Sequence, residues 1–143
     1  MKLKYETVKV EGLHRAMWQA AGVMDLLHHD YSGGKELQIT NAVAGRGYNS
    51  LHPRGRAFDC SVWDIGDDKR FDFVQECRLK LEPLGFRIVH EPDDLSDDTL
   101  TRQGRKREEV TEHFHVDLRD ENAWLMAILR GRGQGDFEHK EIT

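Results

Sequence analysis

The chain has 143 residues, of which 33% are charged and 38% hydrophobic, and its formal net charge is −5. This length suits one domain with a single core, and no apolar run approaches the roughly 20 residues that span a membrane. The negative charge argues against a general nucleic-acid-binding protein. Cys60 and Cys77 are too few for a disulfide framework, so we expect buried, reduced thiols.

The first part of the chain changes its hydrophobic period twice. Residues 2–10 alternate apolar and polar side chains with one slip, which predicts an edge strand or an extended arm. Residues 13–29 space apolar side chains by three and four, which predicts a helix that a pair of glycines ends. Residues 36–40 are a short strand candidate. The glycine-containing segment 41–49 is predicted to be a loop, and such loops often line sites.

A strand-like run around Asp59 carries the first chemical signal. Asp59 and Ser61 share one face of this run, residues 57–63, while the opposite face is apolar and is expected to pack on helices. An aspartate within a buried strand is unfavourable unless it is paired or bound to a metal. This position therefore favours a functional Asp59, with a salt bridge or a cap as the alternative. His52 lies in the loop that enters the strand.

A second helix is predicted to begin at Asp67, where an acidic side chain suits the positive end of the helix dipole. It ends at a following proline and glycine, and residues 85–90 then form a strand. His90 and Glu91 lie at the end of that strand. We expect an exposed strand end to explain both residues, with support of a nearby site as the alternative.

The last third of the chain begins with an acidic block and then a basic block in residues 92–111, which predicts a flexible loop or flap beside the site. Residues 113–118 are predicted to form a strand, and Asp120 to cap a last helix. We expect one domain over residues 1–130 and a flexible, charged tail over residues 131–143. The elements predict an α+β fold, in which a small antiparallel sheet carries the site and two or three helices pack against it.

His113 and His115 are two positions apart, so on a strand they face the same way. One histidine from this strand, together with His52 and Asp59, gives three protein ligands. Catalytic zinc sites use three protein ligands and leave the fourth position to water. The sequence therefore predicts a zinc site.

Two motifs carry a family resemblance. The pattern S-x-H-x-x-G-x-A-x-D is followed downstream by E-x-x-H and H-x-H, and these positions are Ser50, His52, Gly55, Ala57 and Asp59, then Glu112, His113 and His115. The chain in this respect resembles the zinc D-alanyl-D-alanine carboxypeptidases and phage endolysins that cleave peptidoglycan. The matched motifs lie between Ser50 and Asp117. The resemblance implies a fold like that of the hedgehog and DD-peptidase proteins.

The resemblance implies a zinc metallopeptidase that hydrolyses peptidoglycan stem peptides, with Zn²⁺ bound by His52, Asp59 and His115. It assigns the general base to Glu112 in the E-x-x-H form, whereas the H-x-H form involves His113. In a regular strand Glu112 faces away from His115, while His113 faces the same way. Terminal D-alanine trimming and cleavage of the L-alanyl-D-glutamate bond both stay open, because specificity depends on loop shape.

Substrate contacts are expected from Ser50 and from an arginine. In the family the loop before the first motif is longer and its arginine contacts the substrate, and here Arg46 is the only arginine in that loop. Arg15, Arg54 and Arg56 are the alternatives. We expect a monomer that binds neither nucleic acid nor membrane. The first residues lack the apolar stretch of a signal peptide, so we expect cytoplasmic synthesis and action on the cell wall if the protein is phage-encoded or virion-associated.

Two other classes of protein are alternatives to the zinc peptidase. His113 and His115 also fit the histidine-hydrophobe-histidine metal motif of single-strand DNA nicking enzymes. Those enzymes need a nucleophilic tyrosine, and Tyr5, Tyr31 and Tyr48 all precede the histidines. The third class is a non-catalytic zinc-binding module of the same fold.

Overall fold

The computed structural model describes residues 1–4, 8–43, 51–52 and 54–142, with side chains described as far as Gly131. Within these residues it contains five strands and four α-helices. The strands are β1 (Lys2–Leu3), β2 (Gln38–Asn41), β3 (Ala57–Ser61), β4 (Phe86–Glu91) and β5 (His113–Leu118). The helices are α1 (Arg15–Tyr31), α2 (Asp67–Leu81), α3 (Asp97–Arg102) and α4 (Glu121–Ile142).

The strands form one sheet in the order β1-β2-β3-β5-β4. Only β1 and β2 are parallel, and the other neighbours are antiparallel. The α+β class is therefore confirmed, but the sheet is mixed rather than antiparallel, and four helices accompany it rather than two or three. The parallel pair arises because α1 carries the chain from β1 across to β2, and a crossover of this kind joins parallel strands. The predicted edge strand is confirmed for its first residues.

The hydrophobic core lies between one face of the sheet and the long helices. Phe58 and Cys60 of β3 and Phe114 of β5 are fully buried there, together with Phe73 and Cys77 of α2. Both cysteines are free and buried, as expected, and burial raises the pKa of Cys77 to about 12. Because side chains alternate along a strand, the residues between these core positions face away from the helices.

That outer face carries the polar residues singled out in the sequence. The register of β3 and β5 places Asp59 opposite His115, and Ser61 opposite His113. On the far side of β5, the register places Glu91 of β4 opposite His113. The antiparallel pairing thus gathers one carboxylate from each of β3 and β4 around the two histidines of β5.

The charged segment 92–111 is more regular than expected. It contains α3, whose first turn is capped by Ser96, since Ser96 Oγ accepts a hydrogen bond from the amide of Thr99 at 3.1 Å. Arg107 donates hydrogen bonds to the carbonyl oxygen of Pro92 at 2.9 Å and to Asp97 at 3.0 Å. Arg107 of the basic block thus pairs with Asp97 of the acidic block, and Asp97–Arg102 form a helix where a flexible loop or flap is predicted.

The cap of the last helix is confirmed, because Asp120 Oδ1 accepts a hydrogen bond from the amide of Ala123 at 3.0 Å. The helical backbone of α4 continues to Ile142 and so includes most of the segment for which we expect a tail. Within the described residues, no helix has the length and apolar character needed to cross a membrane.

Candidate metal centre

Three side chains from separate segments meet on the outer face of the sheet. Asp59 Oδ1 lies 3.3 Å from His52 Nε2 and 2.9 Å from His115 Nδ1. The two imidazole rings have centroids 5.2 Å apart and planes inclined by 64°. One ligand atom from each residue lies within 4.8 Å of the other two. The three residues are therefore positioned to hold a single metal ion.

Local backbone structure explains how His52 reaches the two strands. The amide of Gly55 donates a hydrogen bond to the carbonyl oxygen of His52 at 2.9 Å, which closes a tight turn before β3. Gly55 has a φ of +70°, a left-handed conformation that suits glycine. A Cβ atom at this position would also overlap the carbonyl oxygen of Gly12. The glycine of the motif is thus needed both for the turn and for close packing against the start of α1.

The two histidines turn different nitrogens toward Asp59. Nδ1 of His52 donates to the carbonyl oxygen of Ala42 at 2.6 Å, which leaves Nε2 facing the carboxylate. His115 is held the other way round, because its Nε2 lies 2.8 Å from Oδ2 of Asp117 while Nδ1 faces Asp59. Histidines that bind metals commonly donate their second N–H to a carbonyl or a carboxylate. Both imidazoles here have that arrangement.

Opposite charges stabilise the cluster. Burial disfavours the charged form of Asp59, but the hydrogen bonds from His115 and His52 hold its pKa well below the usual range. Burial likewise opposes protonation of His115, but the hydrogen bonds to Asp117 and Asp59 raise its pKa to about 9. These shifts favour the protonated form of His115, and a metal ion held by His115 Nδ1 and Asp59 would have to replace the proton on Nδ1.

The donor set fits a metal ion. Two imidazole nitrogens and one carboxylate oxygen are ligand types of catalytic zinc sites, which use three protein ligands.

No family model, curated protein or solved structure matches the chain.

His113 lies beside the three candidate metal ligands but in a different environment. Its Nδ1 donates to the carbonyl oxygen of Thr111 at 2.7 Å, and its Nε2 lies 2.6 Å from Glu91 Oε2 and 3.8 Å from Asp59 Oδ1. Both nitrogens face oxygen acceptors, which favours the doubly protonated ring. Burial opposes this charge, but the hydrogen bond to Glu91 and the charge of Asp59 raise the pKa of His113. This arrangement favours the protonated ring, in which both N–H groups donate.

Glu112 stands immediately before β5 and turns toward α2. Its carboxylate accepts hydrogen bonds from Arg70 Nη1 at 2.9 and 3.1 Å and from His90 Nε2 at 2.7 Å. It groups with His90 and Asp93 rather than with the three metal-ligand candidates. This position agrees with the expectation that Glu112 and His115 face different ways on a regular strand.

A small cleft nevertheless connects Glu112 with Asp59, one of the three candidate metal ligands. Its volume is about 230 Å³, and its lining includes Asp59, His113 and Glu112. Trp63 forms another wall, and the guanidinium of Arg70 lies 5.3 Å from the centre of its ring. Both candidate proton-handling residues therefore border the same space as Asp59.

Several expectations about individual residues change with the structure. An exposed strand end is expected for His90 and Glu91, but His90 is only 9% exposed and Glu91 is hydrogen-bonded to His113. Arg56 makes a 2.9 Å ion pair with Glu121 of α4. Arg46 and Ser50 lie outside the described residues, so the substrate contacts predicted for them stay predictions.

Glu91 and Asp117 contact the two histidines of β5 more closely than the sequence indicates. Asp117 continues the alternation of His113 and His115 along β5, and that alternation was the available signal. For Glu91 the predicted alternative, support of a nearby site, agrees with the structure, but its partner His113 lies on another strand and could not be named from the sequence. Tyr31, the only tyrosine within the described residues, packs against Phe73 in the helical layer at a ring distance of 5.5 Å, on the face of the sheet opposite the histidines.

Proposed function

We propose that the protein is a zinc-dependent metallopeptidase that hydrolyses peptide bonds of peptidoglycan stem peptides. The observation that carries the proposal is the meeting of His52, Asp59 and His115 around one point, with each imidazole oriented by a second hydrogen bond. A zinc ion bound there would polarise the scissile carbonyl group and lower the pKa of a water molecule toward about 7.

His113 supplies positive charge near the reacting carbonyl group in this proposal. Its ring lies 3.8 Å from Asp59 and is held between Thr111 and Glu91. A fixed cation stabilises the oxyanion that develops during peptide hydrolysis, and it does so more strongly in a water-poor cleft than in bulk solvent. The same ring can give a proton to the departing amine.

Glu112 is the general base in this proposal. Its carboxylate borders the cleft that Asp59 and His113 also line, and Arg70 and His90 fix its position. A carboxylate placed at the reacting group can accept the proton of the attacking water, and such catalysis typically contributes about 10²- to 10⁴-fold in rate. The E-x-x-H spacing of Glu112 and His115 supports the same role by resemblance.

The substrate class rests on the resemblance of the two motifs to peptidoglycan carboxypeptidases and endolysins. Ser50 and Arg46 are proposed to contact the stem peptide. The bond cut is either the terminal D-alanyl-D-alanine bond or the L-alanyl-D-glutamate bond. A monomer that reaches the wall during phage lysis or from a virion agrees with this proposal.

The test is mass spectrometry of muropeptides after digestion with zinc-loaded protein. The proposal predicts either loss of a terminal D-alanine or separation of L-alanine from D-glutamate, and the product masses identify the bond. Asp59→Ala should be inactive, whereas His29→Ala, a change at an exposed histidine of α1, should retain activity. Zinc-loaded, folded protein that releases no product would contradict the peptidase and support a non-catalytic zinc-binding module.

A further inference from the structure

Asp117 is a buried carboxylate that the proposed reaction does not use directly. It lies two positions after His115 on β5, and its side chain is 1% exposed. Burial of a charged carboxylate is unfavourable unless hydrogen bonds compensate for the lost water. Oδ2 accepts from His115 Nε2 at 2.8 Å and from Arg87 at 2.7 Å, and Oδ1 accepts from Arg119 Nε at 2.9 Å. Asp117 is therefore fully paired and fixed in place.

The hydrogen bond between Asp117 and His115 determines which nitrogen faces the metal position. An imidazole offers one nitrogen to a metal when the other carries a proton. Because Nε2 of His115 points at Asp117, Nδ1 is the nitrogen that lies 2.9 Å from Asp59. We infer that Asp117 is a positioning residue that keeps Nε2 of His115 protonated and presents Nδ1 to the metal. This inference rests on the proposed zinc site.

The two arginines make the orientation of Asp117 rigid. Arg87 reaches it from the neighbouring strand β4, and Arg119 reaches it from the residue after β5. Both are about half exposed, so their own charges stay solvated while they hold the carboxylate against His115. Rotation of the Asp117 side chain away from His115 would break these ion pairs as well.

His52, the other histidine among the candidate ligands, is oriented by a backbone group rather than by a side chain. His52 donates to the backbone carbonyl group of Ala42, which no substitution at that residue removes. Within the described residues, His115 is thus the candidate ligand whose orientation depends on an acidic side chain outside the ligand set, Asp117. Substitution of Asp117 should change the metal site without removing any of its three ligands.

The experiment compares zinc affinity in the unaltered protein, Asp117→Ala, Asp117→Asn and the control Asp98→Asn by competition with a chelator. We expect Asp117→Ala to weaken zinc binding about 10- to 100-fold, as is typical for residues that orient metal ligands. Asp117→Asn retains one acceptor oxygen and should show a smaller loss. Asp98→Asn, a change at an exposed aspartate of α3 that does not contact the site, is the matched control and should change affinity less than about twofold. Circular dichroism verifies that each variant is folded.

Nitrogen-15 spectra of histidine-labelled, zinc-loaded protein provide a second measurement, which shows the nitrogen through which each histidine binds zinc. A merely structural role of Asp117 would not determine that nitrogen. In the unaltered protein His115 should bind zinc through Nδ1 and carry a proton on Nε2, whereas His52 should bind through Nε2. Binding of His115 through Nε2 would overturn the inference, even if Asp117→Ala failed to fold. Folded Asp117 variants with unchanged zinc affinity would also overturn it while leaving the peptidase proposal in place. Absence of zinc binding by the unaltered protein would instead refute both.

Discussion

Glu91 and His113 face each other across strands β4 and β5, with Oε2 of the carboxylate 2.6 Å from Nε2 of the ring. The other nitrogen of His113 donates to the carbonyl oxygen of Thr111 at 2.7 Å. These contacts hold Nε2 of the imidazole 3.8 Å from Asp59 Oδ1 and favour the protonated ring. Glu91 therefore orients His113 and favours its protonated form, and it is not one of the three residues positioned to hold a metal ion.

Glu91→Gln is expected to lower kcat about 10- to 100-fold while zinc remains bound, because His113 loses the partner that favours its charge. Steady-state kinetics and the zinc content of the purified variant measure the two effects. The exposed Glu108→Gln is the matched control and should behave like the unaltered protein. Unchanged kcat in Glu91→Gln would contradict the role given to this pair.

Glu112→Gln is expected to lower kcat about 10²- to 10⁴-fold with zinc binding retained, because the amide cannot accept a proton from water. Kinetics on a defined stem peptide and zinc analysis test this pair of outcomes. Asp93→Asn is the control, since Asp93 is a more exposed carboxylate near the same histidine, His90. If Glu112→Gln kept full activity, Glu112 would not be the base.

Zinc affinity is expected to rise with pH across the neutral range. Burial alone would lower the pKa of His115, but the hydrogen bonds to Asp117 and Asp59 raise it to about 9. Below that pH the metal-free ring is protonated, and zinc must displace the proton on Nδ1. Each unit decrease in pH should therefore weaken binding about tenfold. Calorimetry near pH 7 in buffers of different ionisation enthalpy should detect release of about one proton, and no release would contradict this picture.

Gly55→Ala is expected to lower both the melting temperature and the zinc affinity, because the new Cβ atom would overlap the carbonyl oxygen of Gly12 and displace the turn at His52. Gly104 provides a matched control, since it has the same φ of +70° but no atom within 4 Å of the position of an added Cβ. Its alanine variant should show only the backbone strain, about 1–3 kcal/mol. Equal melting temperatures for the two variants would contradict a packing role for Gly55.

The metal-ligand candidates could be predicted because their signals are local. Alternation along β5 places His113 and His115 on one face, and an aspartate in an otherwise apolar strand needs a partner. The antiparallel register of β3 and β5 then brings Asp59 opposite His115. The strand pattern thus indicated Asp59 and one of the two histidines of β5, while the resemblance of the motifs selected His52 and His115, and the α+β class followed from the order of elements.

The remaining features depend on packing between elements that are distant in sequence. The parallel pairing of β1 and β2 follows from the crossover through α1, which hydrophobic periodicity does not specify. The contact of Glu112 with Arg70 depends on how α2 lies beside the start of β5. The role of Asp117 depends on Arg87 from the adjacent strand. In each of these three contacts, the two partners are far apart in the sequence.

The most direct test is the zinc content of protein that is stripped with a chelator, reloaded with zinc and dialysed. We predict one zinc ion per chain in the unaltered protein and in the exposed-histidine control His29→Ala. We predict loss of that ion in each of His52→Ala, Asp59→Ala and His115→Ala, because each removes one of the three ligands that meet on the outer face of the sheet. Full zinc occupancy in Asp59→Ala, or no zinc in the unaltered protein, would contradict the metal centre.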